Sequence, residues 1–368
     1  SRGFFHGDAV HGDAVRLGLA EPPRRCGSVV WRSSAAGGPL ELRPPWLAPT
    51  ARDPMNADAG PDPLPSWREG SVKTRLLEFV AAVSTPGDPG WVAPQERIAV
   101  FDNDGTLWSE QPMYVQLAFA LQRARSLVAE RAELASHPLV AAALADDIDA
   151  LMGHGLRGLL ELAALTHAGM ADAAFSGLAR DWLREARHPQ LGVPYTGLVY
   201  QPMLELLAFL RARGFRSWIV TGGGVEFVRV FAEATYGIPP DRIIGSTLQL
   251  RYGEENGQPT VWREPVVDAI NDGDAKPLGI ARAIGRRPIA AFGNSDGDLA
   301  MLRWTTAGPG QRLALLLHHD DGEREVAYDR ASRFGRLDKG LDLARRHGWC
   351  LVSLRRDWDR IFPCSAQD

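Results

Sequence analysis

The chain has 368 residues, 45% hydrophobic and 23% charged, with a formal net charge of −4. That is ordinary composition for a globular protein, with material for two or three average domains and a sizeable core. It gives no electrostatic case for nucleic acid or an anionic membrane surface, and no apolar run approaches the roughly 20 residues that span a bilayer.

Cys26, Cys350 and Cys364 are odd in number, widely spaced and in no metal-ligand pattern, so the expected compartment is reducing and cytoplasmic. Of 41 basic residues only Lys73, Lys276 and Lys339 are lysines, which makes a lysine near a motif more informative than usual.

Residues 1–66 are rich in Pro, Gly and Arg, repeat Gly-Asp-Ala-Val after a histidine, and have no sustained apolar period. Such a segment is expected to be disordered, or an extension upstream of a natural start at Met55. Order is expected to begin near Ser66-Trp67, with a helix carrying Val72, Leu76, Phe79 and Val80. Ile98 to Phe101 reads as a short buried strand. Helical spacing follows for about 80 residues in four stretches, marked by Tyr114 to Val128, Leu144 to Leu151, Leu156 to Ala163 and Phe175 to Trp182. With no strand among them, they predict a small bundle over residues 111–199, inserted like a cap.

Strand and helix then alternate. A helix from Pro202 stops at Gly214, and a strand from Phe215 runs into Thr221-Gly-Gly-Gly224 and a further helix to about Thr235. Arg242 to Tyr252 and Thr260 to Trp262 predict a hairpin around Gly253 to Gln258. Lys276 leads a helix ending at Gly285, and Pro288 to Phe292 is a strand closed by Gly293 and followed by a helix from Leu299. Arg312 to Leu317 and Trp349 to Leu354 are the last predicted strands. Repeated units of this kind predict an α/β fold: a Rossmann-like, doubly wound, mostly parallel sheet built from residues 67–110 and 200–368.

The chemistry centres on Asp102-Asn103-Asp104-Gly105-Thr106, where a buried strand delivers two carboxylates to its C-terminal end. Carboxylates that close resist joint ionisation unless a cation sits between them, and Mg²⁺ suits one or two protein carboxylates with water and phosphate filling its octahedron. A calcium loop is excluded, because its sixth and twelfth positions would be Leu107 and Met113 rather than Gly and Glu. Thr221 and the glycines from Gly222 are candidates for holding phosphate oxygens through a hydroxyl and main-chain N–H groups. Lys276 is a point cation for the same charge. Gly293-Asn294-Ser295-Asp296-Gly297-Asp298 again sets acids and an amide after an apolar strand, where Asp298 or Asp296 completes a metal site or caps the next helix.

These four elements, in this order, resemble the haloacid dehalogenase superfamily, and most its phosphoserine-phosphatase-like branch, over about residues 67–360. The resemblance implies that Asp102 attacks phosphorus, that Asp104 serves as general acid and then base, and that Thr221, Gly222 and Lys276 hold the phosphoryl group. It also implies Mg²⁺ bound by the Asp102 side chain, the Asp104 carbonyl and the fourth motif, here Asn294 and Asp298. Asn294 is a departure, since the family usually has Asp there and one negative charge is lost. An acid at 104 implies a phosphatase rather than a dehalogenase, because a halide leaves without protonation. The expected function is hydrolysis of a small phosphomonoester; the alternatives are a phosphotransferase or mutase using the same aspartyl-phosphate, and a non-catalytic phosphate binder. His318-His319-Asp320-Asp321 reads as a strand end rather than a metal cluster, since consecutive residues rarely converge on one ion.

Overall fold

The four residues of β1 (Ile98–Phe101) are all buried, and they alternate between two cores. Ala99 and Phe101 face one apolar cluster while Ile98 and Val100 face another, as the two-residue period of a strand requires. The computed structural model describes residues 61–153 and 155–363. The expected unstructured extension therefore lies, for residues 1–60, outside the described residues. Residues 61–66 pack: Leu64 is fully buried, and Ser66 Oγ donates to Glu205 at 2.6 Å.

Helix α1 (Ser71–Ser84) buries Val72, Leu76, Phe79 and Val80, the expected stripe, against the first of these cores. After β1 come five helices: α2 (Val115–Glu130), α3 (Pro138–Leu144), α4 (Ile148–Met152), α5 (Gly155–His167) and α6 (Asp172–Glu185). The second predicted stretch is thus split in two. Asp146 adopts φ 53°, and the Asp147 side chain caps the new helix by accepting from the Ala150 N–H. Next are α7 (Gln201–Ala212), β2 (Arg216–Gly224), the short α8 (Val225–Arg229) and α9 (Ala232–Tyr236), and the long hairpin β3 (Ile243–Glu255) and β4 (Gln258–Ala269). The hairpin turns at Asn256-Gly257, both at positive φ, so its strands extend further than predicted. Then follow α10 (Ala275–Ile284), β5 (Ala290–Gly293), α11 (Leu299–Thr306), β6 (Leu313–His318), α12 (Lys339–His347), β7 (Cys350–Ser353) and α13 (Leu354–Asp357).

The seven strands run in the order β4-β3-β2-β1-β5-β6-β7, parallel except for the β3–β4 pair. Helices α1 and α7 bury their apolar faces in the core on one side of the sheet, and α10, α11 and α12 in the core on the other. This is the mostly parallel α/β sheet the sequence predicts. Strand order reverses between β1 and β5, and in such sheets the crevice at that point is where ligands sit. Phe101 and Phe292, at the two strand ends, stack with ring centroids 4.3 Å apart and fix the register of the crevice floor.

The helical insertion has a core of its own around Leu117, Leu121, Val140 and Leu162. Its other side merges with the main core through Phe119, which contacts the rings of His167, Phe175, Trp182 and Phe227. Trp182 and Tyr195 stack on one another in this cluster, consistent with a packing role. The hairpin also grips the insertion. Arg263 lies 4.0 Å over the Phe175 ring and pairs with Asp172 at 3.1 Å and Glu226 at 3.6 Å.

His167 is the acid-sensitive point of this packing. It is 1% exposed, and burial holds its pKa down to about 4, although the Ala163 carbonyl bonded to Nδ1 pulls the other way. The unfolded chain takes up that proton near pH 6.5, so stability is lost as pH falls from about 6.5 toward 4. Urea unfolding at pH 7 and pH 4.5 should show wild type losing on the order of 2 kcal/mol more than His167→Leu. Equal losses in the two proteins would contradict a neutral buried imidazole.

Candidate active site

Beyond Phe101 the chain turns sharply. The N–H groups of Thr106 and Leu107 both donate to the Asn103 carbonyl, at 3.1 and 2.8 Å, and Gly105 sits at φ +71°. Glycine is needed there twice over. The backbone conformation disfavours a side chain, and a Cβ would fall 2.0 Å from Asn294 Nδ2 and 2.3 Å from Glu110 Oε1.

Lys276, in the first turn of α10, reaches across the crevice and ties two carboxylates together. Its Nζ donates to Asp102 Oδ1 and to Asp298 Oδ1, each at 2.6 Å. Burial alone would lower the lysine's pKa, but the Asp102 and Asp298 charges override it and hold the ammonium well above its ordinary value. Burial and the neighbouring Asp298 carboxylate push Asp102 upward, against the pull of Lys276. The side chains differ in access: Asp102 keeps 10% exposure, against 2% for Lys276 and none for Asp298. Only Asp102 of the three is open to a substrate.

Asp298 Oδ2 accepts from the N–H groups of Asn294 and Ser295, both at 3.0 Å, and from Ser295 Oγ at 3.2 Å. With Oδ1 on Lys276, both oxygens of its carboxylate have protein partners. Asp296 faces elsewhere, accepting from the main-chain N–H groups of Asp338, Lys339 and Gly340 at the start of α12. Of the fourth segment, Asn294 and Asp298 are the side chains bonded to the residues around Asp102. Asn294 Oδ1 accepts from Thr106 Oγ1 at 3.0 Å, and Nδ2 donates to Glu110 Oε1 at 2.6 Å.

Asp104 takes a different environment from Asp102. Its Oδ1 accepts from Trp108 Nε1 at 2.8 Å, and burial raises its pKa despite that bond, which favours the protonated acid. A methyl built on Gly223 would meet Thr221 Oγ1 at 3.3 Å and Asp104 Oδ2 at 3.8 Å, so the first and second segments flank the same glycine. The Gly222–Gly224 run forms the end of β2, and the helix predicted to reach about Thr235 is instead the five-residue α8 followed by α9. Its N–H groups are partly spoken for: Gly223 N donates to Thr221 Oγ1 at 2.9 Å and Gly224 N to Gln116 Oε1 at 2.7 Å. The Thr221 hydroxyl proton and the Gly222 backbone remain the phosphate-facing candidates. Leu156, from α5, would lie 3.1 Å from a Cβ on Gly222, so the insertion reaches over this segment.

Several residues around the site had no sequence signal attached to them. Glu110 is 2% exposed, accepts from Tyr328 Oη at 2.6 Å as well as from Asn294, and is pushed by burial up to about 7. His319 donates or accepts at Glu325 through Nδ1, 2.7 Å, and its Nε2 lies 2.8 Å from the Gly105 carbonyl. The two-His, two-Asp run is thus a strand end as predicted, with Asp320 on Ser353 Oγ and Asp321 on Arg324, yet one of its histidines supports the catalytic turn.

The side chains of Asp102, Asn294 and Asp298 present oxygen donors around Lys276 and Thr106. No group of three or more His, Cys, Asp or Glu side chains able to hold a metal occurs among the described residues. This is a hard, oxygen-only set with few charges, the kind that suits Mg²⁺ with water and substrate completing the shell.

A parallel sheet with an acid pair at its switch point defines the class, and the comparisons place the chain within it. The family model of haloacid dehalogenase-like hydrolases matches residues 99–303, more than half of the sequence, and the chain belongs to that family. No curated protein matches it. Similar solved structures include a protein of unknown function from Bordetella pertussis Tohama I, 16% identical, with 70% of this chain and 99% of that one covered and a TM-score of 0.47. A functionally unknown protein from Anaerococcus prevotii DSM 20548 is 15% identical, with 77% and 91% covered and a TM-score of 0.49. A phosphoserine phosphohydrolase-like protein from Francisella tularensis subsp. tularensis SCHU S4 is 16% identical, with 71% and 95% covered and a TM-score of 0.40. Among the described residues no helix is long and apolar enough to cross a membrane.

Gly105→Ala should destabilise the fold by at least about 2 kcal/mol, because the Cβ enters occupied space at an unfavourable φ. Chemical denaturation measures this, and an unchanged midpoint would contradict the close approach described.

Proposed function

We propose that the protein is a Mg²⁺-dependent phosphatase that hydrolyses a small phosphomonoester through a phosphorylated Asp102. The observation that carries this reading is the unequal treatment of the two acids. Asp102 is paired with Lys276 and partly open, the state of a nucleophile. Asp104 is half-buried and accepts from the Trp108 indole N–H rather than from the ammonium, the position of a proton donor.

In the first step an Asp102 carboxylate oxygen attacks phosphorus, the bond from phosphorus to the ester oxygen breaks, and Asp104 gives its proton to the departing alkoxide. In the second, Asp104, now a carboxylate, takes a proton from water as that water attacks phosphorus. The bond from phosphorus to Asp102 then breaks and inorganic phosphate leaves. Lys276 keeps Asp102 oriented and partly neutralised throughout, while the Thr221 hydroxyl and Gly222 N–H bind the phosphoryl oxygens. Asp102, Asn294 and the Asp104 carbonyl would hold Mg²⁺, which when bound supplies charge neutralisation for nucleophile and phosphoryl group. The surrounding helical insertion is the source of substrate selectivity in this reading.

Asp102→Asn, or removal of metal by chelator, should abolish turnover of phosphate esters. Asp104→Asn should lower steady-state turnover of alkyl phosphates by on the order of 10²–10⁴-fold. With p-nitrophenyl phosphate, whose leaving group needs no acid, the same variant should release a burst of about one product per site and then slow, since only the second step still needs Asp104. Full activity in Asp102→Asn, or no burst with Asp104→Asn, would contradict the assigned roles.

A further inference from the structure

The neutral side chain in the cation's donor set is Asn294, and the protein has built a carboxylate directly behind it. Glu110 Oε1 lies 2.6 Å from Asn294 Nδ2 and 2.6 Å from Tyr328 Oη. The main chain opens at two points to admit this one oxygen. A Cβ on Gly105 would come within 2.3 Å of it, and a Cβ on Gly335, at φ +62°, within 1.7 Å. A carboxylate clamped between two glycines, a tyrosine and an amide is placed, not incidental.

Two physical consequences follow for a cation. Glu110 Oε1 accepts from both Tyr328 Oη and Asn294 Nδ2, and an accepting oxygen dictates that the N–H end of the amide faces it. With Nδ2 toward Glu110, Oδ1 points the other way, where one lone pair takes the Thr106 hydroxyl and the other stays available. The second consequence is rigidity. Glu110 is itself held by Tyr328 Oη and walled in by Gly105 and Gly335, so the Asn294 amide cannot turn over without losing its bonds to both Glu110 and Thr106.

We propose that Glu110 is a positioning residue for the cation: it fixes the Asn294 amide with its carbonyl oxygen free to ligate. Partners behind metal ligands commonly set ligand orientation and affinity in this way, and their loss typically weakens binding 10–100-fold. This assignment rests on the metal-dependent reading above and adds a residue to it.

The test is calorimetric titration of the full chain with Mg²⁺ alone, without substrate, alongside thermal unfolding in chelator to compare the folded apo proteins. Glu110→Gln should weaken Mg²⁺ binding by about 10–100-fold. The double variant Glu110→Gln with Asn294→Asp exchanges the acid and the amide across the same 2.6 Å contact, and should return the affinity to within about threefold of wild type. A merely structural role for Glu110 would not produce that recovery. Equal Mg²⁺ affinity in wild type and Glu110→Gln, or a loss that the double variant does not recover, overturns the assignment while leaving the metal-dependent reading in place. A wild-type protein that binds no Mg²⁺ removes both.

Discussion

One ammonium group holds the site together. Lys276 Nζ bridges Asp102 and Asp298 at 2.6 Å each, in a pocket where burial makes Asp102 costly to ionise. Removing one member of such a buried set leaves an uncompensated charge, a loss of about 3–5 kcal/mol in comparable pairs. The same bridge joins three stretches far apart in sequence: the end of β1, the start of α10 and the segment after β5. Catalytic orientation and structural stability are therefore expressed through one cation.

The sheet makes that bridge possible. β1 and β5 are adjacent parallel strands with Ala99 to Phe101 in register with Ala290 to Phe292, so the segments that follow them emerge side by side. Each short strand is buried on both faces, and the Phe101–Phe292 stack sits immediately beneath the acids. A polar layer then forms above it in which nearly every group has a partner. Asp298 serves Lys276 and two main-chain N–H groups, Asp296 caps α12, and Asn294 joins Thr106 to Glu110. Asp104 takes its hydrogen bond from Trp108 where Asp102 takes one from Lys276, and that difference in partner separates the two acids.

What the sequence made legible was whatever depends on local pattern. The run from Ile98 into Asp102 and Asp104 combined an apolar strand with a turn that needs Gly105, and the scarcity of lysine pointed to Lys276, one of two buried lysines beside Lys73. Glycines at 214 and 285 marked helix ends at positive φ. The hairpin around Gly253 to Gln258 was legible too, turning at Asn256-Gly257, whereas α12, outlined by Leu341, Ala344 and Gly348, was not among the predicted elements. Still others have no local signature. Glu110 lies in irregular chain between β1 and α2, and only the distant Tyr328, Asn294 and Gly335 define its role. Asp296 and Asp298 are alike in sequence, and only the arrival of α12 and α10 gives them different partners. That β2 continues through the glycines after Thr221 had no local signature, since it is the pairing of Gly224 with Ser246 on β3 that carries the strand to that point.

The central claim is that Asp102 becomes phosphorylated. Brief reaction of the enzyme with a phosphate ester and Mg²⁺, acid quench, and mass spectrometry of the peptide containing residues 98–108 tests it directly. The account predicts a phosphoryl group on Asp102 that hydroxylamine removes, as an acyl phosphate requires. Turnover with no phosphorylated peptide, or with the phosphoryl group on another residue, would contradict it.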